Sequence, residues 1–261
     1  MGTVFSFAVV VGADGADAGP DRARAAVGAA VRAVRRLERA WSPFRDGTLV
    51  GRTRRGETLR PDRDDPDGDL DLAGILGLCA VLRDRTRGAF DPWSLPGGFD
   101  PTGLVKGRAV ERAVAELRRH GLRDVAVGGG GDVVVRGDAP GRRGWRVGVR
   151  DPRAGTGSVA VARPDGGLLA TVSLAGPGAV ATSGTSERGR HVLDPRTGRP
   201  ARGLLQATVV GPDLAAADAL ATALLAAGDP APPWLADLPG HRVVALTEDG
   251  LLVGDLPACG S

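Results

Sequence analysis

The chain has 261 residues, 42% of them hydrophobic and 25% charged, the profile of a soluble globular protein long enough for a substantial buried core. A net charge of +3 from 34 basic and 31 acidic residues, with an isoelectric point of about 9.6, is compatible with an anionic small ligand; but Arg alternates with Asp and Glu and aromatics are only 3%, which excludes a basic stripe or stacking platform for nucleic acid. The 41 Gly and 19 Pro are spread between apolar segments, which excludes collagen-like and disordered classes and reads as many turns.

In chain order, Val4 to Val11 reads as a buried strand, followed by a loop that ends at Pro20 and Asp21, with Asp21 suited to cap the next element. From Arg22 to Trp41, Val27, Val31, Val34, Leu37 and Trp41 recur at helical spacing. Residues 45 to 68 are polar and predict a loop with short strands in it. A second helix is expected over Asp71 to Asp84, with Leu72, Ile75, Leu76, Cys79 and Leu82 on one side. The stretch 88 to 104 is too broken by Gly and Pro for a regular element, and it leads into a helix from Val105 to Arg119 that Gly121 stops. Short β-branched runs then follow at 125–127, 133–136, 145–149, 159–162, 168–173, 178–183 and 207–211. A helix over Leu214 to Ala227 and strands near Val243 to Thr247 and Leu251 to Val253 complete the chain. Helices and strands in separate blocks predict an α+β fold. Cys79 and Cys259 have no metal spacing and predict no structural disulfide, with Cys79 in the core. The start lacks a basic leader and a cleavage site, Gly2 with Ser6 matches the short myristoylation pattern only loosely, and no stretch reaches the ~20 apolar residues of a membrane span. The expected location is cytoplasmic, with no membrane insertion.

Four segments can carry chemistry. In A-D-A-L-A-T, residues 217 to 222, Asp218 and Thr222 share a helix face and can reach one cation together, or form a solvated edge. In F-D-P-T-G-L-V-K-G-R-A-V-E-R-A, residues 99 to 113, a Gly-containing turn brings Lys106, the only lysine of that region, to a helix N-terminus; it serves a phosphate or is merely solvated. The glycines of V-G-G-G-G-D-V-V-V-R-G, residues 127 to 137, permit close approach of a ligand or form a tight hairpin. A strand follows them, so they are no dinucleotide fingerprint. In A-T-S-G-T-S-E-R-G-R-H-V-L-D-P-R-T-G-R-P, residues 181 to 200, His191 is a general base for a hydroxyl or a structural histidine, with Asp194 in a turn closed near Gly198.

The order and content of these segments, with M-G-T-V-F-S at residues 1 to 6, resemble the ApbE family of FAD:protein FMN transferases over nearly the whole chain. The resemblance implies an α+β, T-fold-like architecture with a largely antiparallel sheet, as one domain over 1–261 or two intimate subdomains split near 121–125. It implies FAD as substrate, Mg²⁺, and transfer of FMN through a phosphoester to a Ser or Thr of an acceptor protein, with release of AMP. An FAD pyrophosphatase and a non-catalytic FAD carrier or sensor are the alternatives. Carried over by motif, Asp218, Thr222 and the carbonyl of Gly103 are the metal ligands, and His191, Lys106 and Asp194 the catalytic groups. Met1, Gly2, Thr3, Asp100, Lys106, Gly107, Gly129, Gly130, Gly131, Asp132, Thr182, Ser183 and Gly184 line the FAD site. Thr53 stands where the family often has Asn, and Ser186 where it commonly has Tyr. The chain has no Tyr, so ring packing on the flavin falls to Phe44, Trp41 or Trp93. The acceptor and the oligomeric state are not legible.

Overall fold

The computed structural model describes residues 3–11, 19–153, 167–185 and 192–254. Met1, Gly2, Ser186, His191, Cys259 and the strand expected over 159–162 lie outside the described residues. Strand β1 (Phe5–Val9) precedes helix α1 (Pro20–Trp41), which buries Ala26, Ala30, Ala33, Val34, Leu37 and Trp41 along one stripe. Asp21 does not cap α1: Gly19 is the cap residue, Pro20 sets the first turn, and the Asp21 carboxylate meets Arg24 instead. The expected loop with strands over 45–68 is also corrected. It holds two short helices, α2 (Leu49–Arg54) and α3 (Pro61–Asp64). Neither has an apolar stripe to announce it. Thr48 caps α2 by accepting from Gly51 N at 3.1 Å, Pro61 opens α3, and Arg52 joins the two through Asp64 at 2.9 Å.

Helix α4 (Leu72–Arg85) buries Cys79, whose thiol burial pushes up to about 12, and α5 (Thr102–Arg119) ends before Gly121 at φ 84°. The stretch 121–125 is the turn into β2 (Val125–Gly129). There follow β3 (Asp132–Arg136), β4 (Trp145–Arg150), β5 (Leu168–Leu174) and β6 (Gly178–Gly184). The remainder is β7 (Leu193–Asp194), β8 (Arg199–Pro200), β9 (Leu204–Gly211), α6 (Leu214–Ala227), β10 (Arg242–Thr247) and β11 (Leu252–Gly254).

Seven strands form one sheet in the order β1-β2-β3-β6-β9-β10-β11, antiparallel at every pairing. Side-chain alternation gives it two apolar faces. One, with Val127, Val134, Ala181 and Val209, packs under the helices; the other, with Val135, Val180, Val210 and Val244, is covered by the β4–β5 hairpin through Val149, Ala170 and Val172. The α+β class with a largely antiparallel sheet is as expected.

Helix α6 packs beside α5 and on β6 and β9, and is buried nearly all round because Ala and Leu occupy nearly every position. Asp213 caps it by accepting from Ala216 N at 2.8 Å, and Gly228 closes it at φ 67°. The α5–α6 crossing is unusually close. A Cβ on Gly107 would stand 2.6 Å from Ala215 Cα, so only glycine fits. Across the same crossing, Glu111 Oε1 accepts from Leu214 N at 2.6 Å and Glu111 Oε2 lies 3.2 Å from Arg108.

Two outcomes are expected in urea unfolding. Gly107→Ala should cost about 2 kcal/mol through backbone overlap, whereas Gly77→Ala, at an exposed α4 position with nothing within 4 Å of the added carbon, should gain about 1 kcal/mol from helix propensity. Burial and then the charge of Asp213 push the Glu111 carboxyl from 4.5 up to about 7, against the pull of Arg108. The folded state therefore prefers the protonated acid. This contribution is full below pH 4.5 and is lost as pH rises through about 7. Glu111→Gln should show a smaller loss of stability than the wild type between pH 5 and 8.

Candidate active site

Lys106, the single lysine of the chain, comes from the second turn of α5 and reaches two carboxylates from different elements. Its Nζ donates to Asp132 Oδ2, at the first residue of β3, and lies 3.5 Å from Asp218 Oδ1 on α6. The two carboxylates are 0% and 2% exposed and the lysine 19%, so one ammonium serves two buried negative charges. Burial would lower the Lys106 pKa, but Asp132 and then Asp218 outweigh it and hold it above the usual lysine value. Burial likewise pushes the Asp218 carboxyl up, to about 8, against the opposing pull of Lys106. Asp132 Oδ1 accepts from Thr182 N at 2.9 Å, which ties the cluster to β6.

Asp218 Oδ2 is buried and has no hydrogen-bond partner among the described residues. A buried acid oxygen left without a partner, on a helix made almost entirely of Ala and Leu, carries a free-energy cost and marks Asp218 as a candidate ligand-binding position. One turn along, Thr222 Oγ1 is 3.1 Å from Ser183 Oγ and 3.3 Å from the position a Cβ on Gly103 would take. Asp218, Thr222, Ser183 and Gly103 thus converge, and their oxygens are the hard donor set that suits Mg²⁺. Among the described residues no group of three His, Cys, Asp or Glu could hold a metal, so a cation here would rest on one carboxylate with neutral oxygens. Thr182 belongs to the other sheet face: its hydroxyl meets Thr208 at 2.9 Å.

The glycine run is a tight hairpin turn between β2 and β3, with Gly130 and Gly131 at φ 60° and 91°. It also permits close approach. A Cβ on Gly129 would stand 2.8 Å from Val110, and one on Gly130 would stand 2.9 Å from Thr3 and 3.3 Å from the Lys106 stem. Thr3 in turn borders a hollow of about 390 Å³ between β1 and α1, walled by Phe5, Phe7, Val31 and Val34.

Other expected site residues fall elsewhere. Gly107 faces Ala215, and Thr53 Oγ1 donates back to Leu49 O at 2.9 Å. Gly184 ends β6, where a Cβ would meet Leu205 O at 3.3 Å. Asp194 is held by Arg196 at 2.8 Å within its own turn. Asp100 Oδ1 accepts from Thr102 N at 3.0 Å at the start of α5. Trp41 is withdrawn as a flavin-packing ring. It is 1% exposed in the core, and its Nε1 donates to Leu70 O. Phe44 is 85% exposed, and Trp93, 38% exposed, packs on Phe99 with ring centroids 5.6 Å apart. Sequence reasoning missed Arg54, which donates to Phe99 O at 2.9 Å and Pro43 O at 3.1 Å and pairs with Asp100 at 3.6 Å. It thereby pins the Phe44 loop to the start of α5. No sequence spacing signalled it, since its partners are 11 and 45 residues away.

A family model described as the ApbE family matches residues 95–245, more than half of the chain. A curated FAD:protein FMN transferase from Rhodobacter capsulatus is 39% identical over 161 residues, which are 58% of this chain; the chain spans only 28% of that relative's length. An ApbE protein from Thermotoga maritima superposes with a TM-score of 0.74 at 24% identity, covering 95% of this chain and 93% of its own. The flavin transferase ApbE from Vibrio cholerae does so with a TM-score of 0.74 at 17% identity, covering 98% and 94%. At those identities the two structures speak to the fold, and the family match carries the assignment: the chain belongs to the ApbE family.

Proposed function

We propose that the chain transfers FMN from FAD to a Ser or Thr hydroxyl of an acceptor protein and releases AMP, with Mg²⁺ held by Asp218, Thr222 and Gly103. The observation that carries this reading is the unpartnered Asp218 oxygen, buried beside Lys106 and one helical turn from the Thr222–Ser183 hydroxyl pair. Family membership and the named relative from R. capsulatus support the transferase assignment.

In this reading the acceptor oxygen forms a bond to the phosphorus on the riboflavin side. The phosphorus–oxygen bond to the AMP phosphate breaks, and AMP leaves with the electron pair. Bound Mg²⁺ would offset charge on the pyrophosphate. Lys106 supplies the fixed positive charge from the protein side, and its two carboxylates keep it protonated and aimed. The φ-positive turn at Gly130 and Gly131 would let the backbone approach the phosphates, while the hollow beyond Thr3, with Phe5, Phe7, Val31 and Val34 in its walls, would take a flat ring. His191, outside the described residues, is the proposed base for the acceptor proton on the strength of the motif alone. The Arg54 pin holds the loop of the exposed Phe44 ring at the start of α5, where Phe44 is the proposed partner of the flavin.

The direct test incubates the protein with FAD and Mg²⁺, with and without an acceptor domain bearing a target Thr, and reads AMP and flavin-labelled mass. Labelled acceptor is expected. AMP with free FMN and no label would replace transfer by hydrolysis, and tight FAD binding without AMP would replace it by carriage. Asp218→Ala should weaken Mg²⁺ and FAD binding together, by about 100-fold in calorimetry, because each completes the other's site. Unchanged Mg²⁺-dependent FAD binding in that variant would overturn the ligand assignment. Lys106→Met should lower the rate about 100-fold and also cost about 3 kcal/mol in urea unfolding, since it leaves two buried carboxylates without their cation.

A further inference from the structure

Lys106 and Gly103 stand on α5, while Asp218 and Thr222 stand on α6, so the site exists only if the two helices cross at one angle. Their closest approach is Gly107 against Ala215. Gly107 sets how near the helices come, and the angle is left to the contacts on either side of it. Thr222 lies seven residues beyond Ala215, a lever of roughly 10 Å at 1.5 Å per residue, so a turn of about 10° would carry it about 2 Å from Gly103. On the side away from Gly103, the directional contact between the two helices is made by Glu111. It lies one turn beyond Gly107 on the opposite side from Gly103, and its Oε1 accepts from the first backbone N–H of α6, Leu214 N, at 2.6 Å.

The Glu111 side chain is itself braced. Arg108 lies 3.2 Å from its Oε2 and also holds Asp71, at the start of α4, through Nε at 2.6 Å. Asp213, the cap residue of α6, stands on the same side, 4.0 Å from Arg108. The end of α6 is therefore gripped by an acid from α5 as well as by its own cap. In the same turn Ala216 N donates to the Asp213 carboxylate at 2.8 Å and Ala217 N to the Asp213 carbonyl at 3.1 Å.

We propose that Glu111 is a positioning residue of the active site: by holding Leu214 N it fixes the α5–α6 crossing and so sets Asp218 and Thr222 against Lys106 and Gly103. Its consequence for substrate rests on the function proposed above, whereas its consequence for Lys106 does not. Because the chain has one lysine, ¹³C-lysine labelling gives a single side-chain ε signal, a direct report on the Lys106 surroundings in protein free of FAD and metal.

The experiment compares wild type, Glu111→Ala, Glu111→Asp and Glu111→Gln. The amide oxygen of Gln can still accept from Leu214 N, and Asp is one methylene short while remaining conservative enough to fold. The Lys106 signal should shift in Glu111→Ala and in Glu111→Asp and stay near the wild-type position in Glu111→Gln. With Mg²⁺ present, the FAD dissociation constant should rise about tenfold in Glu111→Ala and return to within about threefold of wild type in Glu111→Gln. Wild-type Lys106 signals in both Ala and Asp variants would overturn the proposal, as would a Gln variant as perturbed as Ala. Shifted lysine signals in the Ala and Asp variants, together with a wild type that binds no FAD, would leave the positioning role intact and remove the proposed function instead.

Discussion

One ammonium between two buried carboxylates is the constraint on which the rest of the structure turns. Lys106, Asp132 and Asp218 come from α5, β3 and α6, and bringing two negative charges and one positive out of water is unfavourable unless the geometry is close. That requirement joins the helical layer to the sheet at one point. It also leaves Asp218 Oδ2 buried without a hydrogen-bond partner among the described residues, which is the chemical reason a ligand would be welcome there.

The architecture answers that constraint with redundancy. One face of the sheet is covered by α5 and α6, with α1 packed on α5 and α4 touching both, and the other by the β4–β5 pair, so the strands carrying Asp132 and Ser183 are packed from both sides. The helix bearing Asp218 and Thr222 is the most enclosed element, capped by Asp213 and closed by Gly228. The buried charged cluster and the exposed Phe44, whose loop Arg54 ties to the start of α5, therefore lie on one enclosed and one open part of the same region.

Much of this was legible in the sequence. The span of α6 was read to the residue because Asp213 and Gly228 mark its ends, and α5 gained only three residues at its start, where Pro101 and Thr102 disguise the first turn. The pairing of Gly130 and Gly131 with a following strand separated the hairpin from a dinucleotide loop. Helices α2 and α3 escaped because capping and ion pairs define them rather than apolar spacing. The Asp218–Thr222 pair follows from helical period, but the Asp132–Lys106 bond does not, since it depends on the register of β3 against β6 and on where α5 crosses. Glu111 and Arg54 were invisible for the same reason, their partners lying 103 and up to 46 residues away.

The two-residue turn at Gly130 and Gly131 places Asp132 at the first position of β3, paired opposite Gly129. A slip of one residue in that hairpin would send the carboxylate to the opposite side of the sheet, among the valines under the β4–β5 hairpin, and strand Lys106 without its nearest counter-charge. The slipped register is thus penalised twice, by a carboxylate in an apolar layer and by an abandoned cation, so the pair that equips the site also specifies how β2 and β3 align.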